Sequence, residues 1–105
     1  MMFSYRAKVI KVIDGDTVDL NVDLGFHCEI GIRTRLLGIN APEVSTAEGK
    51  QVRDWLRERL PIGDAVTVDT FKDPGDKYGR WLARINSRGE DICSVLVAHG
   101  YAVPM

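Results

Sequence analysis

Between Val18 and Leu24 apolar residues fall at every second position, at Val18, Leu20, Val22 and Leu24, with polar partners between them. That period of two marks a strand buried on one face. The preceding run from Tyr5 to Ile13 is rich in β-branched residues, and Asp14-Gly15 separates the two, so a turn there predicts an antiparallel hairpin. Leu24-Gly25 marks a second reversal, after which Phe26, Cys28, Ile30 and Ile32 alternate again. A three-stranded meander follows, its third strand running to about Ile39 and stopping at Pro42, which cannot donate to a ladder.

The period then changes. Val52, Trp55, Leu56 and Leu60 recur at helical intervals, and Ser45 followed by Glu48 has capping-box spacing, which predicts a helix over about Thr46 to Leu60, ended by Pro61 and Gly63. Val66 to Phe71 and Arg80 to Asn86 read as a fourth and a fifth strand, separated by a polar loop, Lys72 to Lys77, that contains Pro74-Gly75. A second helix is expected from an N-cap near Asp91 to just before Gly100, with Ile92, Val95 and Leu96 as its apolar face. Three meandering strands, a helix, two strands and a terminal helix follow the order of a five-stranded Greek-key barrel of the OB type, a mainly β, α+β fold with two helices.

With 105 residues, 45% of them apolar, the chain is read as a single domain over residues 1–105 with one modest core. Fourteen basic residues against fifteen acidic ones leave a net charge of -1, so any polyanion must be held by a local cluster rather than by the overall field. No segment is long enough to span a membrane and none resembles a signal peptide, so the expected location is cytoplasmic, although a mature secreted form would look the same. Cys28 and Cys93 match no zinc or redox spacing and are read as reduced, buried thiols.

Candidate chemistry concentrates in three stretches: Ile13-Asp14-Gly15-Asp16-Thr17-Val18, Arg35-Leu36-Leu37-Gly38-Ile39-Asn40-Ala41-Pro42-Glu43, and Asp76-Lys77-Tyr78-Gly79-Arg80. Each places charged groups at the edge of an apolar run. Carboxylates, an amide and arginines suit a hard cation and a phosphodiester, because such ions take oxygen ligands and guanidinium forks match phosphate oxygens. Each stretch also has an ordinary reading: Asp-Gly as a turn, a strand-end arginine as a solvated charge, Glu43 as an acid favouring the helix dipole. Arg33 shares a strand face with Arg35 and either adds positive potential or serves solubility. Trp55 lies on the apolar stripe of the helix and is read as core, Trp81 as core or surface, and His27 and His99 as structural or surface residues.

The three stretches, in this order and spacing, resemble the staphylococcal nuclease (thermonuclease) family from about Lys8 to Ala102. That resemblance implies an OB barrel and hydrolysis of phosphodiester bonds by attack of water at phosphorus, with one calcium ion. Glu43 then corresponds to the carboxylate that orients or deprotonates the water, with Pro42 fixing its approach. Arg35 corresponds to the arginine that grips the scissile phosphate, and Arg80 to a second that favours the charged transition state and leaving oxygen. Asp16 corresponds to a direct calcium ligand, Ala41 to a ligand through its backbone carbonyl, and Asp14 to an acid that supports the ion through water. Asn40 departs from the family, which has aspartate there; an amide oxygen can coordinate calcium but brings no formal charge, so affinity should fall. Lys77 and Tyr78 resemble residues that contact a terminal phosphate of bound nucleotide. The sequence stops at Met105, before the further aromatics of longer members, and stacking on aromatics is worth ~1–3 kcal/mol per base, so substrate binding should be weaker; Tyr101 is a partial substitute or a rim residue.

The leading expectation is a monomeric nuclease for DNA or RNA, single-stranded by preference, with no membrane partner. The alternative is a catalytically weakened or inactive nucleic-acid-binding module whose metal site has lapsed. A third is a protein-interaction module. Asn40 favours the second; retention of Asp16, Arg35, Glu43 and Arg80 together favours the first.

Overall fold

The computed structural model describes residues 3–72 and 81–104. Strand β1 (Phe3–Asp14) turns at Gly15 into β2 (Thr17–Gly25), which pairs with β3 (Cys28–Leu36). A two-residue strand, β4 (Ile39–Asn40), leads to helix α1 (Ala47–Arg59). β5 (Ala65–Lys72) and β6 (Trp81–Ser87) follow, then β7 (Glu90–Asp91), helix α2 (Ile92–Ala98) and β8 (Val103–Pro104). The sheet runs β3-β2-β1-β5-β6-β7, and a parallel pairing of β3 with β6 closes five of these strands into an OB-type barrel. The alternating residues line the interior only toward the Asp14 end of the meander: Leu24, Cys28 and Ile30 near the hairpin tip are exposed, and Ile32 is half-buried. Val18, Leu20 and Val22 are buried in the interior with Val9, Val12, Leu36, Val66, Val68 and Ile85, and Val52, Leu56 and Leu60 of α1 join Ile92 and Leu96 of α2 in the same core.

Four expectations are corrected. β3 ends at Leu36, because the chain reverses at Leu37-Gly38, with Gly38 at φ 76°, before Ile39 and Asn40 pair with Pro104 and Val103. Phe26 belongs to no strand: with His27 it forms the centre of the hairpin turn, at φ 54° and 58°, and it is 98% exposed. Positive φ at both central positions gives a turn whose twist matches the flanking strands. The N-cap of α1 is Thr46, whose hydroxyl accepts the Gly49 amide, rather than Ser45. Cys28 is exposed beside the hairpin tip, whereas Cys93 is buried and its thiol is pushed up to about 11, chiefly by burial and then by Asp91.

α2 ends as expected at Gly100 (φ 74°), where the Gly100 amide donates to Val97 O at 3.0 Å and the Tyr101 amide to Leu96 O at 2.9 Å. These two bonds satisfy carbonyls that the helix end would otherwise leave open. Trp55 packs against the core and, with His99 and Tyr101, forms an aromatic cluster with ring centroids 5.1–5.8 Å apart that ties α1 to the segment after α2. No helix among the described residues is long and apolar enough to cross a membrane.

Candidate active site

The β1–β2 turn, the end of β3 and the strand β4 meet at one end of the barrel. The Asp14 carboxylate accepts the Asp16 amide at 3.0 Å, a local turn that aspartate favours, and holds both carboxylates on one reversal. The Leu36 amide donates to Asp16 O at 2.8 Å, and the Ala41 amide reaches Asp16 Oδ2 at 3.4 Å, so the same residue is tied to β3 and to the segment after β4. Thr17 donates its hydroxyl to Asp16 Oδ1 at 3.3 Å.

Arg35 stands in register with Thr17 across the β2–β3 ladder. Its guanidinium donates to Ile39 O at 3.2 Å, bridging the reversal that leads to Asn40 and Ala41. Burial pushes the Asp16 carboxyl up to about 6, and Asp14 pushes in the same direction through a hydrogen bond and its charge. The Ala41 amide and the charge of Arg35 oppose that rise without cancelling it. The Asp16 carboxyl thus resists ionisation chiefly because it is buried, and then because Asp14 stands beside it, despite the nearby arginine.

Asn40 is exposed and Ala41 buried. Glu43 follows two residues later, exposed, with Ser45 Oγ 3.5 Å from its carboxylate. Its backbone is held firmly: the Thr46 amide and hydroxyl both donate to Glu43 O, at 3.0 and 2.7 Å. The exposed Arg33 guanidinium makes two bonds to Asp19, at 2.8 and 3.1 Å, and also feels the charge of Asp14. Lys77, Tyr78 and Arg80 lie outside the described residues. Trp81, the residue after Arg80, pairs with Thr34, the residue before Arg35.

Among the described residues no three histidine, cysteine, aspartate or glutamate side chains gather as a metal cluster. The donors present are the Asp14 and Asp16 carboxylates, the Asn40 amide and backbone carbonyls, all hard oxygens suited to calcium. The raised Asp16 carboxyl fits such an ion, since a divalent cation would offset both the burial and the charge of Asp14 that resist its ionisation. In charge and donor type the residues fit; in number of acids the set is lean. The supports at Thr46 and Gly49 were not foreseen, although a threonine three residues before a helical amide was a signal for them.

Comparison with known proteins gives a match to the family model described as staphylococcal nuclease homologue, over residues 33–105. The chain is 32% identical over 110 residues to Endonuclease YhcR of Bacillus subtilis, covering 93% of this chain and 9% of that protein. It is 38% identical over 78 residues to a micrococcal nuclease of Shigella flexneri, covering 74% of this chain and 40% of that protein. A thermonuclease of Staphylococcus intermedius is 31% identical over 101 residues, covering 90% of this chain and 55% of that protein. The chain thus spans about half or less of the length of these curated relatives.

Proposed function

The chain belongs to the staphylococcal nuclease homologue family, and on that footing we propose that it hydrolyses phosphodiester bonds of DNA or RNA, single-stranded by preference, as a monomer using one calcium ion. The observation that carries this reading is the convergence of Asp14, Asp16, Arg35 and Ala41 at one end of the barrel, with Glu43 fixed two residues further on. Nuclease names on relatives that match nine-tenths of this chain support it.

Asp16, Asn40 and the Ala41 carbonyl would hold the ion, with Asp14 supporting it through water. When bound, the ion polarises a phosphoryl oxygen and offsets negative charge. Arg35, anchored to Ile39 O, binds and orients the scissile phosphate, and Arg80 from the segment before β6 is its counterpart on the departing oxygen. Glu43, exposed and held by its backbone, takes the proton of the attacking water. Lys77 and Tyr78 contact a further phosphate of the strand.

Glu43→Gln keeps the shape and removes the base, so calcium-dependent cleavage of a single-stranded oligonucleotide should fall by about 10²–10⁴-fold. Unchanged turnover would remove Glu43 from the reaction. Asn40→Asp adds the missing charge, so the calcium concentration giving half-maximal activity should drop; an identical titration would contradict the ligand assignment. The lean acid set and Asn40 favour a second reading, a nucleic-acid-binding module with a weak ion site. Oligonucleotide binding without any cleavage at saturating calcium would select it.

A further inference from the structure

Helix α1 turns one buried face, formed by Gly49, Val52 and Leu56, toward the barrel. Two of the segments that carry candidate chemistry press on that face. Gly15, between Asp14 and Asp16, lies so close that a β-carbon there would sit 2.7 Å from Val52 Cγ1 and 2.8 Å from Ala41 Cβ. At Gly49 a β-carbon would fall on the backbone carbonyl of Glu43 and lie 2.9 Å from the Pro42 carbonyl oxygen.

Gly49 has no positive φ to explain it. It is an ordinary helical residue in the first turns of α1, where glycine costs about 0.5–1 kcal/mol relative to alanine. What it provides is space. The Glu43 carbonyl occupies the place of the missing side chain, and Thr46 locks it there, donating its hydroxyl to Glu43 O at 2.7 Å while accepting the Gly49 amide at 3.0 Å.

We propose that Gly49 is a positioning residue: with Thr46 it forms a backbone seat on α1 that fixes where Glu43 stands relative to the Asp14–Asp16 turn, which the same helix locates through Val52 and Gly15. The inference rests on the reading of Glu43 as the base. It makes the side of α1 facing the barrel part of the catalytic geometry, although neither Gly49 nor Thr46 touches the substrate. Displacing a catalytic group by about 1 Å can cost ~10²-fold in rate, far more than the loss of one helix cap would suggest.

The test measures kcat and KM for a single-stranded oligonucleotide in calcium, well below the melting temperature, for Gly49→Ala, Thr46→Val, Glu43→Gln and the two double variants with Glu43→Gln. Gly49→Ala should lower kcat by about 10–100-fold with KM within about twofold, and should shift the backbone amide resonances of Glu43 and Val44 in the metal-free protein. Each double variant should be no slower than Glu43→Gln alone, because a misplaced base and a missing base are one defect. Losses that multiply, or wild-type kcat in a folded Gly49→Ala beside a disabled Glu43→Gln, overturn the inference alone. Wild-type kcat in Glu43→Gln overturns the base assignment and this inference with it. If Gly49→Ala does not fold, Thr46→Val, which removes both hydroxyl bonds of the seat without adding bulk and leaves the residue 46 amide bond to Glu43 O, decides by the same non-additivity, and wild-type kcat in Thr46→Val beside a disabled Glu43→Gln overturns the inference.

Discussion

Asp16 is held by the fold in a position where its charge is resisted. Its carboxyl, at 3.8 in an unstructured chain, rises to about 6 through burial and the neighbouring Asp14. A folded-state value above the unfolded one means that its contribution to stability is complete below pH 3.8 and is lost as the pH rises through about 6. In metal-free buffer Asp16→Asn, which cannot ionise, should therefore melt higher than the wild type at pH 7.5, with the difference closing by about pH 4. Equal melting temperatures at pH 7.5 would mean that neither burial nor Asp14 resists the charge of Asp16. At this scale the meeting of Asp14, Asp16 and Arg35 at one end of the barrel was legible, because they lie in short stretches whose residue types suit oxygen ligation and a phosphate fork, whereas Ala41 entered only through the resemblance to the family. The seat at Gly49 was not, since its reason is a collision with a carbonyl six residues earlier that exists only once the chain has folded.

Among the elements, the long ones declared themselves by period. One buried face imposes alternation on β2 and helical spacing on α1, and both appear where those patterns place them. β4, β7 and β8 are two residues long and carry no period; their pairing is dictated by what folds beside them. The end of α2 was readable because only one residue type accommodates it cheaply. Gly100→Ala forces a side chain into the left-handed region at φ 74°, and thermal or urea unfolding should show a loss of about 1–2 kcal/mol. A loss under a few tenths would show that the helix end can relax. Phe26 and His27 accept that conformation without glycine's freedom, so Phe26→Asn-His27→Gly should stabilise the hairpin by roughly 1–2 kcal/mol in the same assay.

The molecule as a whole depends on closure between β3 and β6, a pairing of Thr34–Leu36 with Trp81–Ala83 that joins segments far apart in sequence. Leu36 is fully buried at this seam, and Leu36→Ala should cost about 2–5 kcal/mol, read from denaturant midpoints. At the other end of α1, Arg59 donates to Ser87 Oγ, Ser87 O and Glu90 at 2.8–3.0 Å, and Ser87 in turn donates to Asp64, so the helix is fastened to the β6–β7 turn as well as to the Glu43 loop. Such long-range fastening leaves no local trace in a sequence, which is why the barrel could be inferred from element order but not its joints.

One of those joints has a practical side. Because Val103 lies directly across from Asn40, a purification tag fused downstream of β8 would begin within a strand's width of Asn40, and one fused ahead of β1 would begin beside Phe3, which is in register with Thr70 and through it with Ala83 at the barrel seam. Cleavage assays on this chain are best run after either handle has been removed.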